Sequence, residues 1–154
     1  MNYRMLVVAF MVILASCSRT EQPQETAIGK SSPKIENGIL TPEVLWSFGR
    51  LGETAISPNG TSIVYTISYY SVEKNKSNSD LFIMSVDGSN KKQLTSTSAH
   101  EFNPTWINNN EIAYLSTEGE TAQIWTINTD GSKKQKISSF ESDINGFQIS
   151  PKGD

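Results

Sequence analysis

The sequence predicts an all-β protein with a short helix near its N-terminus. Three observations support this: an internal repeat, runs of β-branched and aromatic residues of strand length, and paired Asp-Gly turns. The repeat is direct, because DLFIMSVDGSNKKQLT at 80–95 aligns without a gap on QIWTINTDGSKKQKIS at 123–138, an offset of 43 residues. Self-similarity of this period is typical of repeat architectures.

The segments before these runs also correspond. SIVYTIS at 62–68 resembles EIAYLST at 111–117 at an offset of 49, and a longer polar connection at 71–79 accounts for the six extra positions. One unit therefore consists of an opening segment, a strand, a connection, a second strand, an Asp-Gly turn and a short strand. A length of 43 to 49 residues is typical of a four-stranded propeller blade.

A third unit begins near the end of the sequence. ISPKGD at 149–154 repeats ISPNGT at 56–61, so the chain is expected to stop inside a blade. The predicted fold is a partial β-propeller at 39–154: two four-stranded blades, the start of a third, and the N-terminal helix. A propeller closes with four or more blades, which predicts that this chain is a fragment of a longer protein.

The chemistry of each element agrees with this assignment. Ile63 and Tyr65 in one unit, and Trp125 and Ile127 in the other, belong to runs that favour strands. Asp87-Gly88 and Asp130-Gly131 supply the left-handed backbone of tight hairpin turns.

The exception is the segment at 42–50, which is predicted to be a short helix. Thr41 can cap its first amides, Pro42 suits the first helical position, and Glu43 complements the helix dipole. Three apolar side chains were expected to pack onto the sheets: Leu45, Trp46 and Phe48.

Residues 1–17 are predicted to be a lipoprotein signal peptide. Arg4 precedes an apolar run of ten residues at 5–14, which is too short to cross a bilayer and is typical of a signal peptide. Leu14-Ala15-Ser16-Cys17 resembles the lipobox of bacterial lipoproteins, so Cys17 is the predicted lipidation site; an ordinary secretory signal with an incidental cysteine is the alternative. The polar residues 18–38 are predicted to form a flexible tether.

Composition narrows the possible partners. The net charge is −3 and the isoelectric point is about 5.2, which gives no basic field for nucleic acid or an anionic membrane surface. Cys17 is the only cysteine, so no internal disulfide can form. Membrane attachment is accordingly expected only through lipid on Cys17, in the periplasm or at the outer membrane.

Candidate catalytic and metal sites are few. His100 is the only histidine and lies in a polar segment beside Glu101, and no G-x-S-x-G nucleophile motif occurs, so no catalytic residue is predicted. Asp87 and Asp130 are interpreted as turn residues instead of calcium ligands, because lysines follow them where ligand oxygens would be required. No metal or cofactor is predicted. Five aromatic side chains are interpreted as core: Trp46, Trp106, Trp125, Tyr65 and Tyr114.

Two segments carry a family resemblance. LTPEVLWSFGRLGETAISPNGTSIVYT at 40–66 and SDLFIMSVDGSNKKQLT at 79–95 resemble the start of bacterial prolyl oligopeptidase family serine peptidases, of the dipeptidyl peptidase and acylaminoacyl peptidase branch. The resemblance covers 39–154. It implies a propeller that covers a C-terminal α/β-hydrolase domain, which carries the Ser, Asp and His of the triad and which this chain lacks.

This resemblance makes the chain the expected substrate-gating portion of an envelope-anchored peptidase, with short peptides and the missing hydrolase domain as its partners. The repeats alone are also similar to those of non-enzymatic propellers such as the Tol-associated periplasmic protein. A protein-binding scaffold lipoprotein is therefore the alternative function.

Overall fold

The structure is a computed structural model, and it describes residues 26–150. Within that range one short helix precedes eight strands. Their bounds are α1 Pro42–Ser47, β1 Arg50–Ile56, β2 Ser62–Ser71, β3 Lys76–Ser85, β4 Lys92–Gln93, β5 Glu101–Asn108, β6 Glu111–Ser116, β7 Gln123–Asn128 and β8 Gln135–Lys136.

The strands form two four-stranded antiparallel sheets. The first sheet has the order β1-β2-β3-β4 and the second has the order β5-β6-β7-β8, so each is a simple meander. The predicted pair of four-stranded units is confirmed. The first strand of each sheet, β1 or β5, comes before the hairpin turn that leads into β2 or β6, and the repeat alignment did not identify it.

The polar connection predicted at 71–79 is wrong. β2 and β3 pair residue by residue out to Ser71 and Lys76, and only the turn at 72–75 separates them. Both strands are 10 residues long, whereas β6 and β7 have 6 residues each. The extra residues therefore lengthen a hairpin, because Tyr69 and Tyr70 continue the β-favouring sequence of β2.

The helix is present but ends at Ser47, before the predicted residue 50. Thr41 Oγ1 accepts a hydrogen bond from the Val44 amide at 3.3 Å, which confirms the predicted cap. The predicted packing is only partly confirmed: Trp46 contacts Tyr70 of β2, but Leu45, Trp46 and Phe48 are 44%, 39% and 54% exposed, and Val44 is the buried apolar residue. A helix of six residues has room for one buried face, and that face contains Val44 and Ser47.

The main core lies between the two sheets. Strand β5 lies against β1, β2 and β3 of the first sheet. The ring nitrogen of Trp106 on β5 donates to the Ala55 carbonyl on β1 at 3.0 Å and so joins the sheets. The buried residues of this cluster are Val64, Leu81, Ile83, Leu94, Trp106, Ile112, Tyr114 and Ile127.

Both Asp-Gly turns are confirmed. Gly88 has φ 82° and Gly131 has φ 84°, values that glycine adopts without a steric penalty. The Asp87 carboxylate accepts from the Ser89 amide at 2.9 Å, and the Asp130 carboxylate accepts from the Ser132 amide at 2.8 Å. Hydrogen bonding by the hydroxyl and then by the amide of Ser89 holds the pKa of Asp87 below its usual value, and Ser132 does the same for Asp130.

Candidate functional site

A buried cluster of polar side chains lies where the first sheet meets the start of the second. Two of its members are carboxyl groups, Asp80 on β3 and Glu101 at the start of β5, which are 2% and 0% exposed. Such burial is rare for acidic side chains unless each oxygen has a partner. The cluster, called the acidic cluster below, comprises Asn78, Asp80, Thr95, Thr97, Glu101 and Ser116.

Glu101 is held by three hydroxyl groups. Thr95 Oγ1 donates to Oε2 at 3.0 Å, and Oε1 accepts from Thr97 Oγ1 at 2.7 Å and from Ser116 Oγ at 3.2 Å. Thr95 Oγ1 also accepts from the Leu81 amide at 2.9 Å, so the same hydroxyl links β3 to Glu101. The carboxyl of Glu101 thus connects the first sheet, the connection between the sheets, and β6.

Asp80 is held by the same connection and by a neighbour on β3. Its Oδ1 accepts from the Thr97 amide at 3.1 Å and its Oδ2 accepts from Asn78 Nδ2 at 3.0 Å. Asn78 in turn accepts from the Ile28 amide at 2.6 Å. A continuous chain of hydrogen bonds therefore runs from residue 28, in the segment predicted to be a tether, through the first sheet to the second.

The environment raises the pKa of both carboxyl groups. Burial is the main cause at Glu101, the negative charge of Asp80 adds to it, and together they raise the pKa to about 7 against the opposing hydrogen bonds of Thr97 and Thr95. Burial also raises the pKa of Asp80, against the hydrogen bond from the Thr97 amide. Both groups therefore hold a proton more readily than exposed carboxyls do, and each affects the titration of the other.

The second sheet has a neutral counterpart to Asp80. Gln123, at the same position in the repeat, is 0% exposed. Its Oε1 accepts from the Phe140 amide at 2.9 Å and from Ser138 Oγ at 2.8 Å. Its Nε2 donates to the carbonyls of Phe140 and Ser142 at 3.1 and 3.2 Å. The second sheet therefore holds its connection with an amide that cannot titrate.

An open cleft of ≈ 830 Å³ lies above the acidic cluster. Thr97 belongs both to the cleft wall and to the cluster, so one residue separates the cleft from the two buried carboxyls. The wall offers hydroxyl and backbone groups for hydrogen bonding. Its residues are Thr26, Ala27, Ser96, Thr97, Ser98, Ala99, Thr117, Glu118 and Gly119.

A second group of functional side chains lies at the helix. The guanidinium of Arg50 lies 4.6 Å from the ring centre of Trp46 and 5.3 Å from that of Tyr70, and the two rings are 5.1 Å apart. Cation–π contacts of this kind stabilise an exposed arginine against two rings. Trp46, predicted to be core, instead contacts the outer end of β2 and stays 39% exposed.

The other four aromatic residues interpreted as core lie inside the protein. Trp106, Tyr65 and Tyr114 are buried and Trp125 is half-buried. Tyr65 stacks on Phe82 with ring centres 5.7 Å apart. The hydroxyl of Tyr114 is buried without a hydrogen-bond partner, and burial raises its pKa.

The structure places His100 at the junction of the two sheets. Its backbone forms a bridge with Ser79, its amide donates to Thr117 Oγ1 at 2.9 Å, and its side chain is exposed. Within residues 26–150 no hydroxyl or carboxyl group bonds its ring. The geometry of a catalytic triad is not found there.

The remaining predictions concern lipidation, metal binding and membrane insertion. Cys17 lies outside the described residues. Within 26–150 no group of three or more histidine, cysteine or acidic side chains is close enough to hold a metal. The same part of the chain contains no helix with the length and apolar character that crossing a bilayer requires.

The sequence reasoning missed the acidic cluster. Glu101 was noted only as a neighbour of His100, and Asp80 only as the first residue of the repeat. The repeat did contain a signal, because Asp80 aligns with Gln123 directly before the apolar strand residues. A polar side chain at the same strand position in both units indicates a shared buried role.

Comparison with known proteins shows what the described fold resembles. Over 113 residues, 73% of the chain, it is 40% identical to Dipeptidyl-peptidase 5 of Porphyromonas gingivalis. The chain is similar to dipeptidyl-peptidases. Over 120 residues it is also 35% identical to Dipeptidyl-peptidase 5 of Porphyromonas endodontalis. The matched parts span 16% and 17% of these two relatives, and no protein-family profile matches the chain.

Solved structures with a similar fold are also peptidases. The AtxE2 isopeptidase in its apo form matches with a TM-score of 0.59 at 14% identity, over 79% of this chain and 22% of that protein. The acylaminoacyl peptidase of Pyrococcus horikoshii matches with a TM-score of 0.50 at 18% identity, over 63% and 15%. At these identities the likeness concerns the fold. Together with the dipeptidyl-peptidase relatives it supports a peptidase-associated domain.

Proposed function

We propose that this chain forms the first blades of a β-propeller that limits access of short peptides to a serine peptidase domain. The observation that carries the proposal is the 40% identity to Dipeptidyl-peptidase 5 of Porphyromonas gingivalis across 113 residues. Two four-stranded meander sheets in contact through β5 support the proposal, because propeller blades are four-stranded antiparallel sheets.

The chain's own residues would contribute to gating and not to bond cleavage. The acidic cluster is buried, and among the described residues no hydroxyl group is hydrogen-bonded to the His100 ring. Purified protein should therefore not hydrolyse dipeptidyl reporter substrates, nor should a fluorophosphonate label its serines. Stoichiometric labelling of one serine would contradict this assignment.

A chimera tests the gating role. Residues 26–150 would replace the matched segment of the Porphyromonas gingivalis relative, and release of dipeptides would be measured on a short reporter and on an unfolded polypeptide. The proposal predicts hydrolysis of the reporter within about tenfold of the parent rate and poor hydrolysis of the polypeptide. Efficient cleavage of both substrates would reject gating by this segment.

The rival function is a protein-binding scaffold without an enzyme domain. The coding sequence downstream distinguishes the two, because the peptidase proposal requires a G-x-S-x-G motif in a following α/β-hydrolase domain. A reading frame that contains further blades and no such motif would favour the scaffold.

We also propose attachment to the bacterial envelope through lipid on Cys17. The support is the lipobox-like Leu14-Ala15-Ser16-Cys17 after a ten-residue apolar run. Wild type expressed in a Gram-negative host should incorporate labelled palmitate and partition into detergent, and Cys17→Ala should lose both properties. A wild-type protein that stays unlabelled and soluble would reject lipid attachment.

A further inference from the structure

We propose that Asp80 and Glu101 form a proton-controlled latch between the two sheets, closed while the pair holds a proton and loosened when both carboxyls are ionised. The two groups belong to different sheets, β3 and β5, and the connection at 95–100 joins them. Thr97 bonds both groups at once, through its amide to Asp80 and through its hydroxyl to Glu101.

The first argument is that two buried negative charges so close to one another are costly. Asp80 and Glu101 are 2% and 0% exposed, so water does not screen their repulsion. Protonation of one carboxyl removes the repulsion and leaves the hydrogen bonds of the acidic cluster in place. When both carboxyls are ionised, their repulsion acts on the residues that connect the two sheets.

The second argument concerns Lys134, the cation that acts on Glu101 among the described residues, because its ammonium is bound to other groups. Lys134, which precedes β8, is the positively charged group whose field acts on Glu101, and its ammonium bonds Glu118 and lies 5.0 Å from the Trp125 ring. Tyr114 on β6 is also buried near Glu101, and burial and the charge of Glu101 keep its hydroxyl neutral. The attraction of Lys134 for the ionised carboxyl is therefore smaller than the effect of burial and of the Asp80 charge, which together raise the pKa of Glu101.

The third argument comes from the network that the pair controls. Asp80 positions Asn78, which accepts from the Ile28 amide at 2.6 Å, and Thr97 forms part of the wall of the ≈ 830 Å³ cleft. Loosening at the pair would therefore reach the N-terminal segment and the cleft wall. The consequence is a cleft whose walls become less rigid as pH rises through neutrality.

Amide hydrogen exchange on the full chain in detergent tests the latch. After correction for the intrinsic effect of pH, protection of peptides at 95–101 and 26–30 should fall at least about tenfold between about pH 5 and about pH 8. The connection at 138–144, bonded by neutral Gln123, is the internal control and should keep its protection. Constant protection at 95–101 would overturn the proposal.

Glu101→Gln provides the matched variant. It keeps the shape and removes one charge, and the hydroxyls of Thr95, Thr97 and Ser116 can rotate to suit an amide. The pH-dependent fall at 95–101 should shrink to about twofold or less. A fall equal to that of wild type would show that another group is responsible.

If Glu101→Gln does not fold, infrared spectroscopy of the wild-type protein tests the latch without a variant. Infrared spectroscopy should detect a protonated carboxyl group at about pH 6 that disappears above about pH 8, where ordinary carboxyls are already ionised at both values. The absence of that absorption at the lower pH would contradict a shared proton and reject the latch.

Discussion

The two sheets share their strand order and their Asp-Gly turns but differ at one buried polar position. In the first sheet the carboxyl of Asp80 accepts a hydrogen bond from the backbone amide of Thr97. In the second sheet the side-chain carbonyl of Gln123 accepts one from the backbone amide of Phe140. Both side chains hold the connection that follows their sheet. The repeat therefore specifies a hydrogen-bond acceptor here, while the choice of residue decides whether it responds to pH.

The first strands of the two sheets differ as well. β1 is exposed along almost its whole length, whereas β5 is buried at Glu101, Pro104 and Trp106. Equivalent strands in the repeat therefore contribute unequally to the free energy of unfolding, because β5 packs against the first sheet. An exposed strand such as β1 retains apolar surface, including Leu51 at 68% exposure.

The largest expected effect is at Trp106. Trp106→Ala removes a ring that is 9% exposed and its hydrogen bond to the Ala55 carbonyl, so unfolding should become easier by roughly 3–5 kcal/mol. Urea denaturation followed by circular dichroism measures it. Trp46→Ala, at a 39% exposed position, is the control and should cost about 1 kcal/mol. If both variants lost the same stability, the two regions would contribute equally, contrary to this comparison.

The next effect is expected when Gln123 of the second sheet is replaced by an acidic residue, as at the equivalent Asp80 of the first sheet. Gln123→Glu directs a carboxyl oxygen at the Phe140 and Ser142 carbonyls, which now accept from the amide. The pKa of the introduced carboxyl should be raised by burial, so stability should be present below about pH 4 and lost as pH rises toward neutrality, by a few kcal/mol. Thermal melts at several pH values measure it, with wild type as the reference. A variant with the pH profile of wild type would show that the position tolerates charge.

The same rule gives the pH dependence of wild type. Because the pKa of Glu101 is raised from 4.5 to about 7, the folded state binds more protons than the unfolded state between these values. Stability should therefore decline as pH rises across this window, by on the order of 3 kcal/mol, and level off above it. Denaturation midpoints at several pH values between these limits test this prediction. A rise in stability with pH would show that the pKa of Glu101 is not raised in the folded state.

A smaller difference is expected at the bulges that interrupt β1 and β5. A Cβ on Gly52 would overlap Thr66 Oγ1, so Gly52→Ala should cost roughly 1–3 kcal/mol. Asn103, at the matching place in β5, has φ 52°, so Asn103→Gly should relieve backbone strain and stabilise by up to about 1 kcal/mol. Thermal unfolding should show opposite signs, and the same sign at both bulges would contradict the comparison.

The smallest effect is expected at the helix, which precedes the first sheet and has no equivalent before the second. Thr41→Ala removes the hydroxyl that caps the Val44 amide and should cost about 1 kcal/mol. Thr41→Ser retains the hydroxyl and should cost little. If both variants were equally destabilised, the methyl group of Thr41 and not its cap would be responsible.

Several features could be predicted from the sequence because they depend on local chemistry. Thr41 followed by Pro42 specifies the start of a helix, and Asp-Gly at 87–88 and 130–131 specifies hairpin turns, since each acts through its own backbone. Runs of β-branched and aromatic residues identified β2, β6 and β7, and the repeat identified β3. The lengthened hairpin was misjudged because Ser, Asn and Lys in 71–79 resemble a loop, while pairing with β2 holds them in a strand.

The sequence by itself determined the repeat, its turns and the strands that carry its hydrophobic pattern. Only the tertiary structure decided that Glu101 and Asp80 meet and that Trp46, unlike Trp106, stays exposed. Asp80 and Glu101 lie on strands of different sheets and become neighbours only when those sheets stack. Burial and the pKa of a carboxyl depend on what surrounds it, and for this pair the surroundings come from distant parts of the chain.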